Sequence, residues 1–131
     1  MIIDASAVLA ILLAEPDAGR FAEAIEAAED VRISPVNYLE AAVVIDRKRD
    51  PIASRRLDDF LRIAGISIAA VDAAQAEAAR AAYRDFGRGS GHPARLNLGD
   101  CFAYALARCY GEPLLFKGAD FAQTDVTPAL A

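Results

Sequence analysis

Short, mainly apolar segments alternate with longer helical ones along this chain, and that alternation constrains the fold more than any other feature. The apolar segments have the length of strands, whereas the segments between them place apolar residues at helical spacing. The predicted strands are Met1–Asp4, Val31–Ser34, Ile66–Val71 and Pro113–Phe116, with a weaker one near Asp125–Thr127. The pattern predicts an α/β fold, a parallel sheet of four to five strands with helices on both faces.

Capping residues predict where the helices begin and end. Ser34 and Pro35 are typical of an N-cap and first helical position, and Asn97 precedes an acid at the third position of the next helix. Gly65 and Gly111 are predicted to end helices. Six helices are predicted: Ala5–Ala14, Asp17–Glu29, Pro35 to about Lys48, Pro51–Ala64, Asp72 to about Phe86, and Leu98–Tyr110. Asp17 and Asp72 are the predicted caps of the second and fifth of these helices.

The length and composition are those of one domain with a buried core. The chain has 131 residues, of which 55% are hydrophobic and 25% charged, so we expect a single domain over residues 1–131. The uncharged stretch Ala5–Ala14 is shorter than the roughly 20 residues of a membrane span, and no basic segment precedes it. We therefore expect a cytoplasmic protein. Cys101 and Cys109 lie about 12 Å apart on one predicted helix, which is too far for a disulfide.

Four carboxylates occupy segments that otherwise resemble protein core. A carboxylate in such surroundings loses several kcal/mol of hydration, about 3 or more, unless it is protonated, paired or bound to a cation. Three of them are the only charged residues in their stretches: Asp4 in residues 1–14, Glu40 in 33–45 and Asp100 in 96–107. The fourth, Asp120, follows the last predicted strand.

The predicted topology brings these four acids to one edge of the sheet. Asp4 and Asp120 follow strands, while Glu40 and Asp100 lie in the first or second turn of helices that begin at the same edge. Ligands of parallel sheets bind at the carboxyl ends of the strands. Carboxylate oxygens suit Mg²⁺ or Mn²⁺ rather than zinc, and the single histidine, His92, cannot build a zinc site alone. The pattern therefore indicates a divalent-metal site.

Each acid also has an ordinary structural interpretation. Asp4 would then cap the helix that begins at Ala5, and Asp100 would interact favourably with the dipole of its own helix. Asp120 would pair with Lys117. Glu40 fits such an account least, because its helical neighbours are largely apolar. Two polar residues near the acids, Ser6 and Asn97, also allow two interpretations: they could orient Asp4 and Asp100, or they could cap helices. The sequence leaves both alternatives open.

Charge alone argues against a nucleic-acid partner, because the net charge is −5. Setting the four acids aside leaves 15 acidic against 14 basic residues, a balance of −1, and each bound divalent ion would add positive charge at the site. Four cationic or titratable side chains flank the glycine-rich loop before Asp100, where they either guide a phosphate backbone or are simply solvated: Arg84, Arg88, His92 and Arg95.

Four motifs, in this order and spacing, resemble those of PIN-domain ribonucleases, and within them the VapC-type toxins of toxin–antitoxin pairs. The motifs are Ile-Asp-Ala-Ser-Ala at 3–7, Tyr-Leu-Glu-Ala at 38–41, Leu-Asn-Leu-Gly-Asp-Cys-Phe at 96–102 and Leu-Leu-Phe-Lys-Gly-Ala-Asp-Phe at 114–121. The family usually has Thr or Ser where this chain has Ala5, which removes one polar contact and leaves the acids intact. Ser6 takes the place of the small hydroxyl residue that accompanies the first acid.

The resemblance implies a metal-dependent endoribonuclease toxin with Mg²⁺ or Mn²⁺ as cofactor. Its catalytic and metal-binding residues would be Asp4, Glu40, Asp100 and Asp120. The implied partners are an RNA substrate, a cognate antitoxin protein and a second copy of the chain in a homodimer, with no membrane.

Two other functions are compatible with the residues. A catalytically silent module would bind RNA or an antitoxin without cutting. A small phosphatase or receiver-like domain would use Asp120 with Lys117 as a phosphate site, but it gives Glu40 no function.

Overall fold

Four short strands form a parallel sheet in the computed structural model, which describes residues 1–130. They are β1 (Ile2–Ile3), β2 (Val31–Ile33), β3 (Ile66–Ile68) and β4 (Leu114–Leu115). The strand order is β3-β2-β1-β4. Ile2 pairs with Arg32 on one side and with Leu114 on the other, so β1 lies inside the sheet. The α/β fold with a parallel sheet is confirmed.

Six α-helices connect and follow the strands within residues 1–130. They are α1 (Ala5–Leu12), α2 (Ala18–Ala27), α3 (Pro35–Asp46), α4 (Pro51–Ile63), α5 (Ala73–Phe86) and α6 (Leu98–Tyr110), and a 3₁₀ helix covers Phe121–Gln123. All six were predicted, and the differences are limited to a few residues at their ends. None of these helices has both the length and the apolar character needed to cross a membrane.

The helices cover both faces of the sheet, because successive residues of a strand point to opposite sides. Ile2 and Leu114 pack with α5 and α6 in one cluster of buried residues. Their neighbours Ile3 and Leu115 pack with residues of α1 to α4 in a second cluster. The two apolar layers hold β1 and β4 from both sides, so the ends of these strands are well-defined positions for side chains.

The weak strand predicted near Asp125–Thr127 is wrong. The segment runs beside β4, where the Leu114 N–H donates to the Thr127 carbonyl oxygen at 2.9 Å and the Ala129 N–H donates to the Leu114 carbonyl oxygen at 2.8 Å. Only an isolated bridge to Pro128 forms. Proline has no N–H to donate, so it interrupts the ladder that a fifth strand would need.

Three of the predicted helix boundaries have the expected cap chemistry. Asp72 accepts a hydrogen bond from the Gln75 N–H, and Gly111 ends α6 in the left-handed conformation with φ 63°. Asn97 and Asp100 form a reciprocal capping box at the start of α6.

At two other boundaries the position is right but the predicted side-chain cap is absent. Ser34 and Asp17 occupy the N-cap positions of α3 and α2, but neither side chain accepts a hydrogen bond from its own helix. The Asp17 carboxylate instead lies 3.3 Å from the Lys117 ammonium. Ser34 is buried with its hydroxyl unpaired.

The two cysteines are free, as predicted, but they differ in exposure. Cys101 is buried, whereas Cys109 is exposed. Burial and the nearby Asp100 charge raise the pKa of the Cys101 thiol to about 11, so this side chain is a protonated core residue at neutral pH.

Candidate active site

The four predicted acids lie after strands or at the starts of helices. Asp4 follows β1 directly and is the N-cap of α1, and its N–H donates to the Leu115 carbonyl oxygen of β4 at 2.9 Å. Glu40 lies in the second turn of α3, and Asp100 is the third residue of α6. Asp120 is five residues beyond the end of β4, next to the 3₁₀ helix.

Asp4 is the most buried of the four, with 5% of its surface exposed. Its Oδ2 accepts a hydrogen bond from the Ser6 N–H at 3.0 Å. Burial raises the pKa of the Asp4 carboxyl, hydrogen bonds from Ser6 and Ala5 oppose the rise, and the charge of Glu40 adds to it. Asp4 therefore does cap α1, but its hydrogen bonds do not compensate for the loss of hydration.

Asp100 is held by the first turn of its own helix. Its N–H donates to Asn97 Oδ1 at 2.8 Å, and its Oδ2 accepts from the Asn97 N–H at 3.0 Å. The pKa of Asp100 is nevertheless raised to about 6, chiefly by burial and further by the charges of Asp4 and Asp120. The bond from Asn97 and the charge of Arg88 act in the opposite direction.

Glu40 is fixed between α3 and α6. Its Oε1 accepts a hydrogen bond from Asn37 Nδ2 at 2.8 Å, and its carboxylate lies against the backbone of Gly99. Burial is the main reason why the pKa of Glu40 is raised; the Asn37 bond lowers it and the charge of Asp100 raises it further. The side chain is thus close enough to Asp100 for the two charges to repel.

Asp120 is exposed, unlike the other three. It is still within electrostatic reach of the site, since its charge contributes, after burial and Asp4, to the raised pKa of Asp100. The alternative in which Asp120 pairs with Lys117 is not what the structure has. The Lys117 ammonium instead pairs with Glu15 and with Asp17.

The structure therefore brings the four carboxylates into one electrostatically coupled group. Within residues 1–130, none of the four acids forms an ion pair with a lysine or arginine. Uncompensated buried carboxylates are a donor set that fits a hard divalent cation. As placed, however, no group of three or more His, Cys, Asp or Glu side chains within the described residues is arranged to hold an ion. Roles in metal binding and catalysis stay predictions.

The structure decides between the two interpretations of Ser6 and Asn97. Asn97 does both, because the capping box that starts α6 includes the Asn97 N–H bond that holds the Asp100 carboxylate. Ser6 donates its N–H to Asp4, while its hydroxyl oxygen accepts from the Lys117 N–H at 3.0 Å. Ser6 therefore links the first acid to the segment that carries Asp120.

Two residues at the site were not singled out by sequence reasoning. Asn37 is fully buried and donates both to Glu40 and to the Gly99 carbonyl oxygen. Gly99 allows the Glu40 carboxylate to approach the backbone. The only signal in the sequence was a polar residue three positions before Glu40 on an otherwise apolar face.

His92 belongs to the glycine-rich loop rather than to the acid group. Its Nδ1 accepts a hydrogen bond from the Ala94 N–H at 3.1 Å, and its ring packs edge-on against Phe86. The base of this loop is closed by two backbone hydrogen bonds, from the Arg88 N–H to the Leu96 carbonyl oxygen at 3.0 Å and from the Leu96 N–H to the Phe86 carbonyl oxygen at 2.9 Å. The loop therefore keeps Arg88 close to the start of α6.

Comparison with known proteins agrees with this geometry. The family model of the PIN domain matches residues 1–126. Ribonuclease VapC42 of Mycobacterium tuberculosis is 52% identical over 129 residues, which are 98% of this chain and 98% of the relative. Ribonuclease VapC28 of the same species is 52% identical over 130 residues, 99% of this chain and 98% of the relative.

Two solved structures share the fold at low sequence identity. Mycobacterium tuberculosis VapC20, described as a sarcin-ricin loop cleaving toxin, has a TM-score of 0.73 at 16% identity and covers 96% of this chain and 95% of its own. A toxin–antitoxin complex from Klebsiella pneumoniae has a TM-score of 0.68 at 19% identity, over 92% of this chain and 89% of the other. Together with the family match and the ribonuclease relatives, these findings show that the chain belongs to the PIN-domain family, and within it to the VapC ribonucleases.

Proposed function

We propose that this chain is the toxin of a toxin–antitoxin pair and acts as a Mg²⁺- or Mn²⁺-dependent endoribonuclease. The observation that carries the proposal is the group of carboxylates at the carboxyl edge of the sheet, where Asp4, Glu40 and Asp100 are partly or fully buried and repel one another. Within residues 1–130 none of the three forms an ion pair, and the charge of Arg88 offsets only part of the rise in the pKa of Asp100. Such an arrangement costs free energy in the isolated protein, and a divalent cation would remove that cost.

The four acids have different roles in this proposal. Asp4 and Asp100 are the principal metal ligands, and Asp120 is a further ligand, either directly or through water. Glu40 is a ligand or the base that takes a proton from the attacking water. The bound cation would supply positive charge to the phosphate oxygens.

The reaction proposed is hydrolysis of a phosphodiester bond in RNA. Water forms the new bond to phosphorus, the bond from phosphorus to one ribose oxygen breaks, and that oxygen takes up a proton. Asn97 holds Asp100 and Ser6 holds Asp4 through the hydrogen bonds described above. This fixes both carboxylates before substrate binds, so little reorganisation is needed during the reaction.

The partners follow from family membership. We propose an RNA substrate and a cognate antitoxin, supported by the ribonuclease names of the relatives and by the toxin–antitoxin complex of the Klebsiella pneumoniae neighbour. We also propose that residues 1–131 form one domain that works in the cytoplasm, where its RNA substrate would be.

We further propose a homodimer. An apolar groove between α5 and α6, with Tyr83, Leu98 and Phe102 among its lining residues, supports this, because Leu98 and Tyr83 are 70% and 45% exposed and a second copy would cover them. Sedimentation of the wild type should give twice the chain mass, and Tyr83→Lys should shift it towards one chain. Ile63→Lys is the control, because Ile63 is also an exposed apolar residue but lies at the end of α4, outside the groove. A wild type that sediments as a monomer would contradict the dimer.

The first experiment is cleavage of labelled total RNA by antitoxin-free protein in Mg²⁺, in Mn²⁺ and in EDTA. Discrete cuts that require metal are expected from the wild type and from Asp58→Asn, an exposed acid on α4. Asp4→Asn should give none. If no metal supports cutting while Asp4→Asn and Asp100→Asn still poison cells, the chain acts as a silent binding module instead.

A further inference from the structure

The buried amide of Asn37 joins two elements of the proposed active site. Its Nδ2 donates to Glu40 Oε1 at 2.8 Å, within α3, and to the Gly99 carbonyl oxygen of α6 at 2.9 Å. Both N–H groups of the amide are therefore used. Because Gly99 directly precedes Asp100, this single side chain fixes the position of Glu40 relative to Asp100.

Gly99 completes the arrangement by leaving room for the Glu40 carboxylate. A Cβ atom added at Gly99 would lie 2.1 Å from Glu40 Oε2 and 2.4 Å from Glu40 Cδ. This is far inside van der Waals contact, so any side chain at position 99 would push the carboxylate away. Glycine is needed here for the close approach of a functional group and not for an unusual backbone angle.

The Asn37 side chain is a poor choice if its role is only to pack α3 against α6. The residue is fully buried, and its Oδ1 has no hydrogen-bond partner in the described structure. An unpaired buried oxygen is destabilising, and an apolar side chain of the same size would avoid it. What an apolar side chain cannot provide is the pair of N–H donors that hold Glu40 to Gly99.

We infer that Asn37 is a positioning residue for Glu40, acting together with Gly99 to hold the Glu40 carboxylate beside Asp100 in the geometry that binds the cation and the attacking water. The inference rests on the proposed function. It assigns no contact between Asn37 and substrate. Groups that orient a metal ligand typically change metal affinity by about 10- to 100-fold when they are removed, which sets the size of the expected effect.

The test compares Asn37→Leu with Gln75→Leu. Leucine keeps the number and branching of the side-chain heavy atoms of Asn37 but removes both donors. Gln75 on α5 is a matched control, because it is also buried, also has an unpaired amide oxygen, and donates to the Ala70 carbonyl oxygen at 3.0 Å rather than to a site carboxylate. Three quantities are measured for each: Mn²⁺ affinity by electron paramagnetic resonance, kcat and KM on a cleaved RNA, and Tm in EDTA.

Asn37→Leu should bind Mn²⁺ about 10- to 100-fold more weakly and lose kcat by a similar factor, with KM for RNA nearly unchanged and Tm in EDTA equal to or above that of the wild type. Gln75→Leu should keep the wild-type Mn²⁺ affinity and kcat. An Asn37→Leu protein that folds and binds Mn²⁺ as tightly as the wild type would overturn the inference.

Gly99→Ala tests the same position of Glu40 by adding a Cβ atom at residue 99 instead of removing the donors of Asn37. It displaces the carboxylate without touching Asn37, so it should also weaken Mn²⁺ binding. The double variant Asn37→Leu with Gly99→Ala should be little worse than either single variant, because both act through Glu40. Additive losses would overturn the inference, and so would a crystal structure of Asn37→Leu with Glu40 still seated over Gly99.

The wild type and Asp4→Asn separate failure of this inference from failure of the proposed function. If the wild type binds no Mn²⁺ and does not cut RNA, the proposed function is overturned and the positioning role with it. If the wild type binds and cuts, Asp4→Asn does neither, and Asn37→Leu behaves as the wild type, only the positioning role is overturned.

Discussion

The hydroxyl oxygen of Ser6 accepts a hydrogen bond from the backbone N–H of Lys117 at 3.0 Å, across 111 positions of sequence. The N–H of the same serine donates to Asp4 Oδ2. Ser6 therefore connects the start of α1, where the first acid lies, to the segment after β4 that leads to Asp120. A hydroxyl in this place has a structural effect that its position in a helix would not suggest.

Removal of that hydroxyl should loosen the Asp120 segment. Ser6→Ala keeps the N–H bond to Asp4 but removes the hydroxyl, which also lowers the pKa of Asp4, and leaves the Lys117 N–H without this partner. We therefore expect a loss of about 1 kcal/mol in the free energy of unfolding. Mn²⁺ binding should weaken as well. Urea unfolding measures the first effect. Ser54→Ala is the control, since its hydroxyl donates to Asp46 at an exposed position; an equal loss in both variants would contradict this expectation.

The metal-free protein should become more stable when Asp100 is neutralised. Burial and then the charges of Asp4 and Asp120 raise the pKa of Asp100 to about 6, from 3.8 for an unperturbed carboxyl. Between these two values the native state holds a proton that the unfolded chain has lost, so stability falls as pH rises through this range. Above this pH range the destabilisation caused by the ionised Asp100 carboxylate is fully present.

The measurement is urea unfolding in EDTA at several pH values. The stability of Asp100→Asn minus that of the wild type should be small near pH 4, grow to about pH 6 and then remain constant. In saturating Mn²⁺ the wild type should instead be more stable than Asp100→Asn, because only the wild type then gains binding free energy. A difference that does not change with pH would show that the Asp100 carboxyl is not strained by its surroundings.

The contribution of Glu112 to stability should depend on pH in the opposite direction to that of Asp100, because Glu112 has cationic partners. Its carboxylate accepts from the N-terminal ammonium and from Arg32, each at 2.6 Å. Burial alone would raise the pKa of Glu112, but the bond and charge of the ammonium, with Arg32, outweigh it and lower the pKa. The stabilisation is therefore present above the unfolded pKa and lost as pH falls through the folded value.

Glu112→Gln should cost about 1 kcal/mol at pH 7, a value typical of a partly exposed ion pair. The cost should shrink as pH falls below the unfolded pKa and end once the native carboxyl is protonated. Urea unfolding at a series of pH values, with protein whose Met1 amino group is free and untagged, tests this, and Glu29→Gln, an exposed acid, is the control. A Glu112→Gln cost that does not change as pH falls would mean that packing rather than charge is responsible.

Arg88 should bind the phosphate backbone of the RNA. It is exposed, its backbone is fixed by Leu96, and its charge lowers the pKa of Asp100, against the larger effects of burial. Arg88→Gln should raise KM for RNA and reduce the slope of log(kcat/KM) against log salt by about 1, because one fewer phosphate is neutralised. Arg62→Gln on α4 is the control. Equal salt slopes in the two variants would assign Arg88 no contact with RNA.

Local features of this fold could be predicted from sequence because they depend on residues a few positions apart. The capping box of Asn97 and Asp100 spans three positions and formed as expected. The α/β pattern with a parallel sheet, and the end of α6 at Gly111, likewise follow from periodicity and from the conformational freedom of glycine. Ser34 and Asp17 are the exceptions, because their predicted cap bonds are absent in the folded protein.

Contacts between distant segments could not be predicted in this way. The Asn37 amide reaches Gly99 across 62 positions, and the Ser6 hydroxyl reaches Lys117 across 111. Neither contact leaves a periodic or spacing signal. Lys117 shows the same limit, because proximity in sequence made Asp120 a candidate partner, whereas the partners in the fold are Glu15 and Asp17.

The sequence by itself determined which elements form and that four carboxylates lie at one edge of a parallel sheet, because strand polarity and helix caps are local properties. Only the tertiary structure decided which neighbours each carboxylate has, and so how strained it is. Asp4 and Glu112 are both acids next to strand ends, yet burial without a cation raises the pKa of one, while the ammonium and Arg32 lower that of the other. That difference depends on desolvation and distance, which exist only once the chain has folded.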